Sequence, residues 1–169
     1  MESRAKAAGH AVHPMLVMFP LGLLTTAVVF DVLHLITGGS DFAIASAYMI
    51  AAGVVGGLLA AVFGWIDWFA IPGATRAKRV GLVHGLGNAV VLALFAVSWL
   101  LRADAAAWDP GAAALVFGFV GVAIAGGAAW LGGELVERLG VSVDEGAYLD
   151  APNSLAQPHF SGPPTHERP

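Results

Sequence analysis

The chain contains four long apolar segments, and each carries one ionisable side chain near one end: His13, Asp67, His84 and Glu134. Imidazoles and carboxylates are common ligands of zinc and iron, and histidine also exchanges protons near neutral pH. An ionisable group within an apolar segment is costly and usually has a partner or a task. We therefore take these four residues, together with Asn88 one helical turn after His84, as the candidate site.

One chemistry open to this set is the binding of a b-type haem. In a four-helix bundle with up-down order the first and third helices are diagonal, so His13 and His84 would face each other at matching depth. Two neutral imidazoles can bind iron axially, and nearby small residues would leave space for the macrocycle. Asp67 and Glu134 would accept hydrogen bonds from the imidazoles. The propionates would meet basic residues of the following turn, Arg76, Lys78 or Arg79.

The same residues allow three other interpretations. His13, His84, Asp67 and Glu134 offer the ligand types of a non-haem zinc or iron site, although their spacing is not diagnostic. Because histidines and carboxylates in apolar surroundings titrate near neutral pH, the set could instead relay protons or line a small polar pocket. Polar groups that bind only one another would join the four helix ends without any ligand. The cofactor is left open between haem b, a divalent metal and none.

A second polar layer is predicted at the opposite helix ends. Asp31 lies eighteen residues after His13, and Arg102 lies eighteen residues after His84. Eighteen residues are five helical turns, so each pair occupies one face of its helix. Asp31 and Arg102 are therefore expected to form an ion pair, with His34 close to Asp31. Charged residues near helix ends more often reach the lipid headgroups than form sites, so a structural role is favoured.

Composition determines the class of protein. The chain of 169 residues is 57% hydrophobic and only 12% charged, with a mean hydropathy of +0.75. A soluble domain of this size cannot bury so much apolar surface, so the surroundings must largely be lipid. The absence of cysteine excludes disulfides and thiolate sites. The few basic residues form no extended positive face for nucleic acid, and no motif of a soluble enzyme is present, so an enzyme is not expected.

The pattern predicts an all-α integral membrane four-helix bundle over residues 13–139. The four spans share an apolar composition and are expected at about 14–36, 42–71, 80–101 and 111–135. A polar lead (1–12) precedes them, and a proline-rich tail (140–169) is predicted to be disordered. Small-residue stripes on the second and fourth spans favour close helix packing. We find no internal repeat in the sequence, so a transporter acting alone is not expected.

The distribution of charge predicts the orientation. One side of the bundle carries all Lys and Arg residues but one: Arg4, Lys6, Arg76, Lys78, Arg79, Arg138 and Arg168. The opposite side carries only Arg102. By the positive-inside rule both termini are expected in the cytoplasm, in a bacterial inner membrane. The tryptophans form a belt consistent with this arrangement, with Trp65, Trp68 and Trp130 at one boundary and Trp99 and Trp108 at the other.

The chain resembles the bacterial membrane proteins grouped as domain of unknown function 2231. The resemblance covers about residues 10–144 and is carried by four motifs: His13-Pro-Met-Leu-Val-Met-Phe-Pro20, Gly64-Trp-Ile-Asp67, His84 with Asn88, and Trp130-Leu-Gly-Gly-Glu134. It implies a compact four-helix membrane domain without an assigned activity, and fusion of some relatives to redox domains implies electron transfer. Met18 and Leu139 stand where many relatives have histidines, which removes two imidazoles from any site of that kind.

Two functional classes follow from these observations. The first is a redox or metal- or haem-binding membrane subunit that uses the histidines and carboxylates of the candidate site. The second is a non-catalytic structural or accessory subunit of a membrane complex, in which the same polar groups hold the helices together. Expected partners are the lipid bilayer and either other membrane or redox subunits or further copies of the chain. The sequence does not identify a substrate.

Overall fold

The computed structural model describes residues 1–155 and consists of four long helices joined by short connections. The helices are α1 (Val12–Thr37), α2 (Ser40–Ala70), α3 (Arg76–Leu101) and α4 (Ala112–Gly133). All four helices are long and apolar enough to cross a membrane, so the predicted all-α four-helix architecture is confirmed. The shorter elements are strands β1 (Lys6–Ala7) and β2 (His10–Ala11), a 3-10 turn (Ala106–Trp108) and a π-helical turn (Glu134–Arg138) that continues α4.

Local sequence explains where the helices end. α1 stops at Gly38, which adopts a left-handed conformation with φ 69° and donates its backbone N–H to the carbonyl of His34. Glycine accepts this conformation without steric cost, so it is the usual residue just past a helix end. α3 starts at Arg76, earlier than the predicted position near residue 80, because the hydroxyl of Thr75 caps the helix by accepting the Lys78 N–H at 3.1 Å.

The helices are arranged as two hairpins. α1 packs closely along α2, and α3 packs closely along α4, while the two hairpins meet mainly through α2 and α3. Glycines permit the close approach within each hairpin. A Cβ atom added to Gly53 would lie 2.6 Å from Leu24 Cδ2, and one added to Gly121 would lie 2.9 Å from Phe95 Cε2. Both distances are far below van der Waals contact, so each large side chain occupies the space that a glycine leaves.

The second hairpin repeats the packing of the first. Leu24 and Phe95 are both buried, each against a glycine of the following helix. Asp31 and Arg102 contact each other and are separated by 71 residues, which is also the separation of Leu24 from Phe95. By these equivalent positions α1 corresponds to α3 and α2 to α4, which is the relation expected of two hairpins about an approximate twofold axis along the bundle. The expectation that the chain lacks an internal repeat is therefore wrong.

The lead and the first part of the tail lie together at one end of the bundle. β1 and β2 pair in antiparallel fashion, which folds the lead back on itself before α1. Residues 140–155 of the predicted tail form turns and contact this lead through Ser154, whose hydroxyl donates to the carbonyl of Ala8 at 3.2 Å. Residues 156–169, the rest of the segment predicted to be disordered, lie outside the described residues.

Candidate functional site: a histidine pair on the repeat axis

We call the end of the bundle that carries His13 and His84 the histidine end, and the end that carries Asp31 and Arg102 the arginine end. His13 lies in the first turn of α1, and its Nδ1 lies 2.8 Å from the carbonyl oxygen of Ala60 on α2. A Cβ atom added to Gly64, one turn further along α2, would lie 2.8 Å from His13 Cε1. The imidazole is thus half-buried between a carbonyl and a glycine of the neighbouring helix.

The second hairpin holds His84 in the same way. Its Nδ1 lies 2.9 Å from the carbonyl oxygen of Ala128 on α4. A Cβ atom added to Gly132, again one turn further along, would lie 3.2 Å from His84 Cε1. The carbonyl and the glycine that position each imidazole occur at equivalent places of the two hairpins. The twofold repeat therefore extends to the candidate site.

These hydrogen bonds determine the tautomer of both imidazoles. A carbonyl oxygen only accepts hydrogen bonds, so Nδ1 of each ring must carry the proton. In the neutral imidazole the lone pair available to a ligand then lies on Nε2. The ring centroids of His13 and His84 are 6.4 Å apart and the ring planes are perpendicular, at 90°. Within residues 1–155, Nε2 of His13 takes part in no hydrogen bond, whereas Nε2 of His84 lies 3.3 Å from Asn88 Nδ2.

Asn88 distinguishes the two histidines. It lies one turn after His84 on α3, and its Nδ2 donates to the backbone carbonyl of His84 at 2.9 Å. The same nitrogen lies 3.5 Å from His84 Nδ1, so the amide contacts the imidazole at similar distances from both ring nitrogens. The equivalent position on α1 is Val17, which cannot form such a bond. Of the five candidate residues, the structure thus brings together His13, His84 and Asn88.

Asp67 is engaged elsewhere. Its carboxylate is only 4% exposed and accepts hydrogen bonds from the lead. Ser3 Oγ lies 2.8 Å from both carboxylate oxygens, and the backbone N–H groups of Arg4 and Ala5 donate to Oδ1 at 2.8 and 3.4 Å. Asp67 was expected to accept from an imidazole, but backbone carbonyls take that role. Asp67 bonds the lead instead of an imidazole because the lead folds against this end of the bundle, which the sequence pattern did not indicate.

Glu134 is likewise separated from the histidines. Its Oε1 accepts a hydrogen bond from Arg76 Nη2 at 2.6 Å near the surface. Lys78 donates from Nζ to the carbonyl of Trp68 at 2.6 Å and lies 3.8 Å above the centre of that indole. Two of the three basic residues expected near propionates are therefore paired within the chain, and Arg79 is exposed.

The expected four-ligand metal site is not formed in the part of the chain that the structure describes. Within residues 1–155 no group of three or more His, Cys, Asp or Glu residues is placed to hold a metal ion. The physical reason is that Asp67 bonds the lead and Glu134 bonds Arg76, so neither carboxylate joins His13 and His84.

The arginine end contains a fully buried ion pair. Arg102 is 0% exposed and Asp31 is 2% exposed, and they form two parallel hydrogen bonds, Nη1 to Oδ1 at 2.9 Å and Nη2 to Oδ2 at 3.1 Å. Nη1 also donates to Ser46 Oγ, and Ser98 accepts from Nη2 through its hydroxyl and from Nε through its carbonyl. All five N–H donors of the guanidinium are therefore satisfied.

The two charges therefore pair with each other inside the bundle, as the spacing predicted, rather than reaching toward the lipid headgroups. His34, expected near Asp31, instead bonds Asp109 through Nε2 at 2.8 Å and the carbonyl of Gly39 through Nδ1 at 3.1 Å. Ser46 and Ser98 were not recognised from the sequence. Ser98 lies one turn before Arg102 on the same face of α3, which is the signal that would have identified it.

Residues 9–145 match the family described as "Predicted membrane protein (DUF2231)". The chain belongs to the DUF2231 family. The matched range contains both the histidine pair and the Asp31–Arg102 pair, so both ends of this DUF2231 domain lie within the family's own boundaries. No curated protein and no solved structure matches the chain.

Two groups outside the spans of the DUF2231 domain have shifted pKa values. The hydrogen bond to Glu2, at 2.7 Å, raises the pKa of Lys6. The backbone N–H of Gly146 and the Lys6 ammonium lower the pKa of the Asp144 carboxyl. Lys6 Nζ lies 3.3 Å from Asp144 Oδ2. These three charged side chains, Glu2, Lys6 and Asp144, connect the lead to the segment after α4, and we call them the lead clasp.

Proposed function

We propose that this DUF2231 chain is a membrane electron-transfer subunit that holds a b-type haem between His13 and His84. The observation that carries the proposal is the matched placement of the two imidazoles. Each ring donates from Nδ1 to a backbone carbonyl, and the ring centroids are 6.4 Å apart. Metal-binding histidines characteristically donate their second ring nitrogen in this way, which fixes the tautomer and raises the basicity of the ligand.

The separation of the rings, 6.4 Å between centroids, would allow His13 and His84 to hold one iron between them. Metal–nitrogen bonds of about 2 Å on either side of one ion place the two ring centroids roughly 6 Å apart. A porphyrin supplies four nitrogen ligands of its own, so two protein ligands suffice. A bare zinc or iron ion would need three or more protein ligands, and the described residues offer no such group. The two-histidine set therefore favours haem over a non-haem metal.

The haem would supply one-electron chemistry, and the residues around it would set its reduction potential. The carbonyls of Ala60 and Ala128 increase electron density on the imidazoles, which favours the oxidised, more positive iron. Arg79 is the exposed basic residue that remains for a propionate. We also propose that both termini face the cytoplasm of a bacterium and that the domain lies in its inner membrane, since basic residues predominate at the histidine end.

The proposal is tested by absorption spectra of the protein purified in mild detergent, first oxidised and then reduced with dithionite, with iron analysis of the same sample. We expect one haem per chain, lost in both His13→Ala and His84→Ala. His34→Ala is the matched control, since His34 lies at the arginine end and should leave the spectrum unchanged. A folded, colourless and iron-free wild-type protein would refute the proposal.

A second candidate function is that of a non-catalytic structural or accessory subunit of a membrane complex. The observation that favours it is that the imidazoles fill the space left by Gly64 and Gly132, so each histidine already has a packing role without a ligand. In that case the protein is colourless, and His84→Ala reduces its thermal stability in detergent. Purification of the tagged protein from gently solubilised membranes would then identify the partner subunits.

A further inference from the structure

His34 and Asp109 join the two hairpins at the arginine end. We propose that this contact is a pH-sensitive latch, which is closed while the His34 imidazole carries a proton on both ring nitrogens and is released when the ring loses one of them. The latch controls whether the connection between α3 and α4, residues 102–111, stays packed on the first hairpin. It lies at the opposite end of the bundle from the histidine pair, so it does not depend on the proposed haem.

The two acceptors around His34 determine the protonation state that the contact requires. Nδ1 of His34 lies 3.1 Å from the carbonyl oxygen of Gly39, and Nε2 lies 2.8 Å from Oδ1 of Asp109. A carbonyl oxygen and a carboxylate accept hydrogen bonds and donate none, so both ring nitrogens must carry a proton for both bonds to form. A neutral imidazole has a single N–H, and its other nitrogen would face an acceptor with a lone pair.

This environment distinguishes His34 from the other histidines in the part of the chain that the structure describes. His10 and His13 each contact a backbone carbonyl through Nδ1, and their Nε2 takes part in no hydrogen bond there. His84 contacts a carbonyl in the same way, while its Nε2 lies 3.3 Å from Asn88 Nδ2, which is a donor. A neutral imidazole satisfies each of these three arrangements. At His34, by contrast, both ring nitrogens face acceptors.

The other charged groups of this end do not bond the imidazole. Asp31, one turn earlier on α1, is bonded to Arg102 of α3. Asp41 at the start of α2 and Asp104 in the connection are exposed, and neither is a partner of the ring nitrogens. The charge of the ring is therefore matched by Asp109, whose side chain is 69% exposed. Because this ion pair is open to water on one side, it responds to the pH of that water.

The backbone next to Asp109 favours release once the bond is weakened. Ala107 and Trp108 both have positive φ, 53° and 59°, a left-handed conformation that residues other than glycine rarely adopt. The ring centroids of Trp108 and Trp99 are 5.2 Å apart, and the 3-10 turn packs against α2. The strained turn is thus held by the indole contact on one side and by the bond to His34 on the other. Loss of that bond lets the turn relax away from the first hairpin.

The direction of the response follows from the proton that is lost. Histidines change charge between about pH 5 and 8. The bond between a charged imidazole and a carboxylate is stronger than a neutral one, so the latch is closed at the acidic end of this range and opens as the pH rises through it. If the histidine end is cytoplasmic, as proposed above, the latch lies on the outer side of the membrane and responds to external pH.

The test measures the distance between the connection and the first hairpin as a function of pH. Because the chain has no cysteine, Ser40→Cys at the start of α2 and Ala106→Cys in the 3-10 turn, both exposed, can carry two spin labels on the full-length protein in lipid nanodiscs. We expect a narrow distribution of distances at about pH 5, which broadens and shifts to longer distances at about pH 8.

Two amide variants of the same connection form a matched pair. In Asp109→Asn the side-chain amide can accept from a protonated ring nitrogen or donate to an unprotonated one, so the distribution should no longer change with pH. Asp104→Asn removes an exposed carboxylate that does not bond the imidazole, so it should keep the pH dependence of the wild type.

The outcomes decide the proposal. A wild-type distribution that is the same at about pH 5 and 8 overturns the latch. A pH dependence that survives in Asp109→Asn also overturns it, since the change would then come from another group. Loss of the pH dependence in Asp104→Asn would assign the response to that carboxylate and overturn the role of the His34–Asp109 contact.

Discussion

Removing the charge of Arg102 should destabilise the protein more than any other single change at the arginine end. The substitution Arg102→Met keeps most of the side-chain volume but leaves the carboxylate of Asp31, 2% exposed, without its two guanidinium bonds. Breaking a buried ion pair by removing one partner typically costs about 3–5 kcal/mol, because the other charge stays desolvated. Since Arg102 satisfies all five donors, we expect a loss in the free energy of unfolding of that size.

The double variant Asp31→Leu with Arg102→Met isolates the electrostatic part. Replacing both members of a buried pair with apolar residues is often neutral or even stabilising. We therefore expect the double variant to recover most of the stability lost in Arg102→Met. Only the hydroxyl of Ser46 loses its partner, since Ser98 still donates to the carbonyl of Ala114 at 2.7 Å.

The assay is equilibrium unfolding in mixed detergent micelles, followed by tryptophan fluorescence. Trp99 and Trp108 pack against each other at 5.2 Å, close to the pair, and report on this end of the bundle. The exposed substitution Arg79→Met serves as a control for the loss of one positive charge. If Arg102→Met unfolds at the same detergent composition as the wild type, or if the double variant is no more stable than the single one, the assignment of a desolvated carboxylate is wrong.

Three further predictions concern the histidine end and the orientation. Asp67→Leu should release the lead from the bundle, because the variant loses every acceptor for the N–H groups that bind it, and limited trypsin digestion should then cut the lead faster than in the wild type while the helices stay protected. The lead clasp should persist over a wide pH range. The pKa of Lys6 is raised, so its contribution to the stability of the folded lead is lost only as the pH rises through a folded-state pKa above 10.5. The pKa of Asp144 is lowered, so its contribution to that stability is lost only as the pH falls through a folded-state pKa below 3.8. Distances between spin labels on the lead and after α4 should stay constant from about pH 5 to 9; a change near neutral pH would contradict this. Because the chain has no cysteine, Ala74→Cys and Ala105→Cys can be labelled singly in intact cells, and only the latter should react with an impermeant reagent if the histidine end is cytoplasmic.

The helices could be predicted from composition because a spanning segment needs a long apolar run and little else. Burial within the bundle was harder to predict. The spacing placed Asp31 and Arg102 on corresponding faces, but a charge near the end of an apolar run looks the same whether it reaches the headgroups or turns inward. The difference lies in Ser46 and Ser98, which supply acceptors from α2 and α3, and their positions become meaningful only once the hairpins are packed.

The contacts of the carboxylates could not be predicted for a related reason. Asp67 and Glu134 share a depth with the histidines, and depth alone suggested a common cluster. The lead, more than sixty residues earlier in the chain, supplies backbone N–H donors to Asp67, and a pattern of side-chain types does not reveal backbone donors. The repeat was hidden as well, because the separation of equivalent positions is not constant: His13 and the carbonyl of Ala60 are 47 residues apart, whereas His84 and the carbonyl of Ala128 are 44 apart. Leu24 moreover corresponds to Phe95 rather than to another leucine.

The Asp31–Arg102 pair also bears on the origin of the fold. If the two hairpins descend from one ancestral hairpin that assembled in pairs, the ancestor had the same side chain at both positions. Two carboxylates or two guanidinium groups at 2.9 Å in a desolvated core would repel strongly, so a neutral side chain would have suited that ancestral position. Opposite charges became compatible only when each half could mutate independently, after duplication and fusion. On that history, two copies of either half alone would bring like charges together, so the ion pair makes the two hairpins dependent on each other.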